Sequence, residues 1–236
     1  MTEQRVPPAD DPDVASLVVG VLGGTGDQGQ GFARRLAAAG NPVIIGSRSG
    51  QRAAAAAAGL GGEPGIRGMT NEDTARAADV VIVAVPWEGH RELLASLAEP
   101  LAGKIVIDCV NPLGFDARGV HALKVAEGSA AEQAAAVLPR SVVVGAFHHV
   151  SAVLLLDPDI VTIDQDVLVL GDERPATDLV AALAVRIPGI RGIYAGRLRN
   201  CGQVEALTAN LVSINGRYKA HAGLRITHLT HDYGRL

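Results

Sequence analysis

The chain has 236 residues and a formal net charge of −4, and 48% of its residues are hydrophobic although only 3% are aromatic. This is long and apolar enough for a core of aliphatic side chains, in one large domain or one domain with a small appendage, while the acidic balance argues against nucleic acid as the main partner. No apolar run reaches the roughly 20 residues of a membrane span, and the N-terminus lacks the basic-then-apolar order of a signal peptide.

The N-terminal part of the chain predicts a leader followed by a βαβ unit. Residues 1–15 hold three prolines, three aspartates and little that could be buried, so we predict a disordered leader. The apolar run at 17–22 predicts a strand, and the amphipathic segment after it predicts a helix that Gly40-Asn41-Pro42 stops. A second apolar run, residues 43–46, completes the unit.

A glycine-rich turn joins the first strand to this helix. Gly24-Thr25-Gly26-Asp27-Gln28-Gly29 reads as G-x-G-x-x-G. In such a turn Gly24 permits a tight bend, Gly26 lets the backbone approach a pyrophosphate, and Gly29 lets helix and strand pack closely. The anion would lie on the free N–H groups at the start of the helix. We therefore predict a dinucleotide site; the alternative is a glycine-rich turn that binds nothing.

The end of the second strand indicates which nicotinamide cofactor binds. An NAD site usually places Asp or Glu there to accept a hydrogen bond from the ribose 2′-hydroxyl, whereas this chain has Ser47 and Arg48. With Thr25 in the turn and Arg52 one helical turn later, these residues predict a 2′-phosphate site and hence NADP(H). Two charge-assisted bonds of about 1.5–3 kcal/mol each would favour NADP by roughly 100-fold. The alternative is that both arginines are solvated surface residues.

Three segments separate the second strand from the third. Residues 51–58 predict a helix, and residues 59–68 predict a glycine-rich link. Thr70 and Asp73 have the spacing of a capping box for a short helix that runs through Ala78. The alternation of strands and helices is typical of a parallel sheet covered on both faces.

Two buried strands then bring small or polar residues to the predicted cofactor edge. The run at 79–87 places Ala84-Val85-Pro86 there, because ligands of parallel sheets bind beyond the carboxyl ends of the strands. The run at 104–112 places Asn111 there, which we interpret either as a ribose or nicotinamide ligand or as a turn residue. Trp87, the only tryptophan, is explained equally well by a ring beside the cofactor and by packing.

A histidine pair follows the next strand. The strand at 141–147 delivers His148-His149-Val150-Ser151-Ala152 to its carboxyl end, and this cluster is the best candidate for contacts with a second substrate. The alternative is that both histidines are packing residues.

The C-terminal third predicts two more strands, at 166–171 and 192–196, a helix at 176–185 between them and a long helix at 203–220. We interpret the basic stretch as a solvated edge rather than as a holder for an anionic substrate tail; it consists of Arg186, Arg191, Arg197 and Arg199. The histidines near the end have no acidic or thiol companions, so we expect no metal site; they are His221, His228 and His231.

The two cysteines, Cys109 and Cys201, lack the spacing of a metal site. We predict buried free thiols rather than a disulfide, which suits a reducing cytoplasm.

Taken together, the motifs resemble those of the NADPH-dependent F420 reductases, also called F420H2:NADP+ oxidoreductases. The shared segments are Gly23–Gly29, Ile44–Arg48, Val83–Trp87, Gly145–Ala152 and Gln203–Arg225. The phosphate turn is common to many dehydrogenases. Gly145–Ala152 and the run Glu205-Ala206-Leu207-Thr208-Ala209-Asn210 are much more specific, and the resemblance covers about residues 18–226.

The resemblance implies reversible hydride transfer between C4 of NADPH and C5 of the deazaflavin coenzyme F420. Thr25, Ser47, Arg48 and Arg52 would hold the 2′-phosphate, and Ala84, Val85 and Pro86 would border the nicotinamide. The deazaflavin would be bordered by Phe147, His148, Ser151 and Ala152, while a role for His149 is left open. We expect no acid–base pair; small residues such as Ala84 and Ala152 would let the two rings approach each other.

These observations predict an α/β fold with a doubly wound, mostly parallel Rossmann-type sheet of about eight strands and a small C-terminal helical extension. We expect an NADP-binding domain at 16–150 and a smaller part at 151–236 that completes the deazaflavin site and forms a homodimer interface. The expected partners are small-molecule redox coenzymes, with no nucleic acid and no membrane span, in the cytoplasm. Alternative functions are an NADP-linked reductase of a small carbonyl or imine and a non-catalytic NADP-binding sensor.

Overall fold

The computed structural model describes residues 12–60 and 65–229. Its strands are β1 (Val19–Leu22), β2 (Val43–Ser47), β3 (Ile66–Thr70), β4 (Val80–Val83), β5 (Ile105–Asp108), β6 (Leu113–Asp116), β7 (Gly119–Ala122), β8 (Val142–Gly145), β9 (Gln165–Gly171) and β10 (Ile190–Gly196). Its helices are α1 (Pro12–Ser16), α2 (Asp27–Ala38), α3 (Gly50–Gly59), α4 (Asn71–Ala77), α5 (His90–Ser96), α6 (Ala130–Val137), α7 (Ala152–Leu156), α8 (Arg174–Val185) and α9 (Cys201–Tyr218), and a 3₁₀ turn, Leu198–Asn200, precedes α9.

In this described part, eight strands form one sheet in the order β10-β9-β8-β5-β4-β1-β2-β3, and β6 and β7 form a separate antiparallel hairpin. Six neighbouring strands of this sheet run parallel to one another; they are β8, β5, β4, β1, β2 and β3. Valine and isoleucine runs favour such strands because both faces of a parallel sheet are buried. The predicted doubly wound, mostly parallel sheet of about eight strands is confirmed.

Helices cover both faces of the sheet, and alternate strand residues point to opposite faces. Val80 and Ile82 of β4 pack with Phe32 and Leu36 of α2 in one apolar cluster, which also includes residues of α7 and α8. The other residues of β4 pack with α5, α6 and α9 in a second cluster. Within the described residues, no helix combines the length and apolar character that crossing a bilayer requires.

The C-terminal part continues the same sheet. β9 runs antiparallel to β8, with Gly145 opposite Leu170, and β10 runs parallel to β9. The first residues of β9 therefore extend past the carboxyl end of β8. This geometry places Gln165 and Asp166 at the sheet edge where β1 and β4 also end, although they lie at the start of their own strand.

Two predictions about irregular segments were wrong. Residues 12–15 of the predicted disordered leader belong to α1, because Val14 is buried in the core and the Asn41 amide donates to its carbonyl at 2.8 Å; residues 1–11 lie outside the described part. The predicted glycine-rich link at 59–68 contains the start of β3, which pairs with β2. A Cβ on Gly68 would lie 2.2 Å from the backbone of Ala53, so this glycine serves close helix packing; residues 61–64 are also outside the described part.

The hairpin of β6 and β7 was not predicted. Its strands are short and mostly exposed, so they lack the apolar alternation that indicates a strand in a sequence. The hairpin lies against α9, beyond the carboxyl end of β5.

Candidate functional site

A cleft opens where the order of strands reverses. β1 lies between β2 and β4. From β2 the sheet continues to β3 on one side, and from β4 it continues to β5 on the other side. Parallel sheets bind ligands at such a switch in strand order. The cleft encloses about 420 Å³, within the range of small-molecule sites. It is lined by Gly23, Thr25, Gly26, Ser47, Arg48, Arg52, Asn71, Ala84, Val85, Pro86, Glu88, Gly89 and Leu93.

The glycines of the turn have different roles. Gly23 adopts a φ of +70°, and a Cβ there would lie 2.5 Å from the carbonyl oxygen of Ala84; the left-handed bend is therefore at Gly23 and not at Gly24, where it was predicted. A Cβ on Gly29 would lie 2.6 Å from Cα of Gly24, so Gly29 serves close packing. The nearest atom to a Cβ on Gly26 is 3.6 Å away. The space above Gly26 thus fits the backbone approach of a pyrophosphate at the start of α2.

The end of the cleft beside β2 is basic. Ser47 is buried at the end of β2, and Arg48 follows it directly. Ser49 caps α3 by accepting a hydrogen bond from the backbone of Arg52 at 3.4 Å, which places the Arg52 side chain on the first turn of α3. Among the lining residues, Glu88 is the one carboxylate, and it lies at the other end of the cleft, after β4. The structure therefore brings Thr25, Ser47, Arg48 and Arg52 together as predicted.

Three of the predicted residues are not among those that line the cleft. Asp27 and Gln28 begin α2 and do not line the cleft; the Gln28 amide donates to the carbonyl of Val150 at 3.1 Å. Asn111 is not a lining residue either. Its amide donates to the carbonyl of His148 at 2.9 Å and its oxygen accepts from the Thr208 hydroxyl at 3.0 Å, so it joins three elements at the carboxyl edge.

The loop from β8 to α7 crosses toward the phosphate turn. Phe147 adopts a φ of +64° and packs edge-on against Phe32 of α2, with ring centroids 5.2 Å apart. A φ in this region is uncommon for a bulky residue. The ring of Phe147 is buried in the core, and the residue is 2% exposed. Together with the Gln28–Val150 bond, this contact joins two motifs that lie about 120 residues apart in the chain.

The two histidines of this loop differ. His149 lies 2.7 Å from the carbonyl of Val204, to which its Nε2 donates, so it fastens the loop to α9. His148 is buried, and neither of its ring nitrogens has a partner in the described protein. Burial lowers the pKa of His148 to about 4, so the ring is neutral at pH 7 and offers one donor and one acceptor.

Ser151 and Ala152 complete the loop at the start of α7, and both are half-buried. The narrow crevice between residues 147–150 and β9 has no room for a bound molecule. Any ring that this loop contacts must therefore lie on the side of Ser151 and Ala152.

A buried polar network behind the site was not predicted. His90 is fully buried between Asp108, at 2.7 Å, and Gln133, at 3.1 Å, and Trp87 stacks on its ring. Burial acts to lower the pKa of His90, but the hydrogen bond and charge of Asp108 outweigh it, so the pKa is raised. Trp87 is therefore explained by packing. An aspartate in the last position of a buried strand was the available sequence signal.

The interpretation of the basic stretch as a solvated edge was wrong for two of its four members. Arg191 binds Asp166 through Nε at 2.5 Å and Nη2 at 2.6 Å, and Arg186 donates to the carbonyl of Ala39. Both hold the C-terminal strands and α8 in place. Arg197 forms a longer pair with Asp172, at 3.6 Å.

Cys109 and Cys201 are buried free thiols, as predicted, and burial raises the pKa of each. Within the part of the chain that the structure describes, no group of three or more His, Cys, Asp or Glu side chains is arranged to hold a metal ion. His231 lies outside that part.

Comparisons with known proteins agree with this geometry. A family model described as NADP oxidoreductase, coenzyme F420-dependent, matches residues 18–112. The F420-dependent NADP reductase of Methanothermobacter thermautotrophicus is 39% identical over 226 residues, which are 92% of this chain and 97% of the relative. That of Methanocaldococcus jannaschii is also 39% identical, over 90% of this chain and 99% of its own length. A crystal structure from Arthrobacter sp. FB24, provisionally described as an F420-dependent NADP reductase, has a TM-score of 0.77 at 28% identity and covers 90% of this chain and 100% of its own.

Proposed function

The chain belongs to the family of F420-dependent NADP reductases, and on this premise we propose that it catalyses reversible hydride transfer between NADP(H) and coenzyme F420. The observation that carries the proposal is the cleft at the strand switch point, which is basic where a 2′-phosphate would lie and is lined by small residues after β4. It opens beside a loop that the Gln28–Val150 bond ties to the phosphate turn. The carbonyl or imine reductase and the sensor are not favoured.

The NADP(H) site is formed by the cleft. Backbone N–H groups at the start of α2 bind the pyrophosphate above Gly26, and Thr25, Ser47, Arg48 and Arg52 bind the 2′-phosphate. Support comes from the open space at Gly26 and from the absence of any acid among the lining residues at the end of β2. Ala84, Val85 and Pro86 border the nicotinamide.

The F420 site is formed by the loop before α7. Ser151 and Ala152 border the deazaflavin, the backbone of Phe147 shapes the turn, and the neutral ring of His148 lies enclosed behind them, with no protein partner for its nitrogens among the described residues. Such orphaned buried polar atoms are uncommon in folded proteins and are expected to meet a ligand or a water molecule. Asn111 contributes by holding the backbone of His148.

The chain itself supplies position and a dry environment. When both coenzymes are bound, NADPH supplies a hydride from C4 of its nicotinamide and F420 accepts it at C5 of the deazaflavin. Hydride transfer needs the reacting carbons about 3–3.5 Å apart, so Ala84 and Ala152 act by being small. No side chain of the proposed site has to exchange a proton with the reacting carbons.

We also propose a homodimer and a cytoplasmic location. The C-terminal half of α9 exposes apolar side chains, among them Val212 (37% exposed), Ile214 (40%) and Tyr218 (73%), and a second copy would cover them. Light scattering after size exclusion measures the assembly directly. The two buried free thiols support a reducing compartment.

The function is tested by mixing the protein with NADPH and oxidised F420 and following the visible absorbance of oxidised F420. We expect steady loss of that absorbance, and much slower loss when NADH replaces NADPH. If NADPH binds but the absorbance stays constant, the protein is a sensor rather than a reductase.

A further inference from the structure

Asn71 lines the cleft but is not one of the residues proposed to bind the 2′-phosphate, the pyrophosphate or the nicotinamide. Asn71 directly follows β3, and its neighbour Thr70 lies opposite Ser47 in the pairing of β2 and β3. The side chain is therefore held next to the end of β2, beside the residues that carry the basic end of the cleft. It is only 8% exposed, and the part that is exposed faces the cleft.

The amide of Asn71 has an unused hydrogen-bonding capacity. Its Oδ1 is buried without a partner, as is the hydroxyl of Thr74 one turn later. Both oxygens lie against Gly46: a Cβ built there would be 2.8 Å from Oδ1 and 3.1 Å from the Thr74 oxygen. With Oδ1 turned inward, Nδ2 is the group that remains for the cleft, and within the described residues it has no protein acceptor. An acceptor atom of a ligand bound in the cleft would complete the hydrogen bonds of Nδ2.

We infer that Asn71 binds the phosphorylated ribose of NADP(H), with Nδ2 donating to an oxygen of the 2′-phosphate, and that it contributes to the preference for NADP over NAD. The inference rests on the NADP site of the proposed function. A neutral donor suits this place because a carboxylate would repel the phosphate, and because Ser47 and Arg48 flank the same position. Asn71 is thus a specificity residue that acts on the cofactor and takes no part in the transfer itself.

Calorimetric titration of the full-length protein with NADP+ and with NAD+ tests the inference. Asn71→Ala should weaken NADP+ binding by about tenfold or more, the effect of losing one hydrogen bond to a charged group, and change NAD+ binding by less than about twofold. Asn71→Asp should weaken NADP+ binding further, because it adds a negative charge beside the phosphate, and leave NAD+ binding intact. Gln51→Glu is the matched control: it adds the same charge on an exposed position of α3 that does not line the cleft, so its effect on NADP+ should be several-fold smaller.

Equal weakening of both nucleotides by Asn71→Ala, or no weakening of either, overturns the inference. If Asn71→Asp fails to fold, as judged by circular dichroism, Asn71→Ala decides alone. Because the titration contains no F420, its result is independent of hydride transfer: if the parent protein reduces F420 and the Asn71→Ala variant binds NADP+ as tightly as the parent does, only the role of Asn71 is refuted.

Discussion

The carboxyl group of Glu205 should make the stability of the protein fall as the pH rises from about 4.5 toward neutrality. Glu205 lies on α9, is 3% exposed, and accepts hydrogen bonds from the backbone N–H of Ala130 at 2.9 Å and of Ala131 at 3.1 Å. Burial raises its pKa from 4.5 to about 7, although these two bonds favour the charged form. The side chain thereby joins α9 to the start of α6.

The sign follows from where each state holds the proton. In the unfolded chain the carboxyl ionises near its ordinary pKa, whereas in the folded protein it keeps the proton to about pH 7. Between these values the folded state binds more protons, so the free energy of unfolding decreases with rising pH and levels off above the folded pKa. At 1.36 kcal/mol for each pH unit between the two pKa values, the decrease is about 3 kcal/mol.

Glu205→Gln is the perturbation, with unfolding by urea at pH 5, 6, 7 and 8 followed by circular dichroism. The variant loses some stability at every pH, because one glutamine oxygen cannot serve both N–H groups as the two oxygens of the carboxyl group do. The informative quantity is the difference between the two pH profiles, since His90, His148 and His149 titrate in both proteins. We expect the free energy of unfolding of the parent to approach or fall below that of the variant as the pH rises.

Glu92→Gln controls for the loss of a carboxylate, because Glu92 is exposed on α5. Its profile should run parallel to that of the parent. If the profile of Glu205→Gln also runs parallel to that of the parent between pH 5 and 8, Glu205 is ionised in the folded protein at all these values, and the reasoning from burial is wrong.

Three further outcomes are expected from the cleft and its packing. Arg48→Ala should raise the KM for NADPH by about 10- to 100-fold, as expected for one charge-assisted bond, and leave that for NADH nearly unchanged; equal effects in steady-state assays would contradict the 2′-phosphate assignment. Ala152→Leu should slow single-turnover hydride transfer while the dissociation constant for NADPH stays the same, and an unaffected rate would remove Ala152 from the ring interface. Gly31→Ala should lower the free energy of unfolding in urea by about 1–3 kcal/mol, because its Cβ would lie 2.6 Å from Cβ of Leu155. Gly26→Ala is the matched control, since the space at its Cβ is open. It should leave the free energy of unfolding nearly unchanged and weaken NADPH binding.

Much of the cleft was predictable because its signals are local. The spacing of Gly24, Gly26 and Gly29 reflects backbone constraints within one turn, and the strands are runs of apolar residues whose burial on both faces requires no knowledge of their partners. Arg48 could be placed at the end of β2 because it directly follows that run. The resemblance to F420 reductases likewise rested on short contiguous segments.

The remaining features depend on contacts between distant segments. Nothing near His90 in the sequence indicates that Asp108 and Gln133 enclose it, and nothing near Phe147 indicates that its ring packs on α2. Gly68 was predicted to be a loop residue. In a sequence, a glycine that lets a helix pack closely against a strand looks the same as a glycine that forms a turn. Asn71 was overlooked for the same reason: its amide is notable only because β3 pairs beside β2.

By itself, the sequence determined the doubly wound sheet, the position of the phosphate turn and the basic end of the cleft, since backbone conformation and burial periodicity are set by neighbouring residues. The tertiary structure alone decided which polar groups are left without partners and which are used up within the protein. Among the residues that the structure describes, the ring nitrogens of His148 and the amide of Asn71 have no protein partner, whereas Asn111 and Arg191 are hydrogen-bonded. That distinction depends on the order of strands in the sheet. A buried polar group has a hydrogen-bond partner only if strand pairing brings a suitable group from a remote segment within bonding distance.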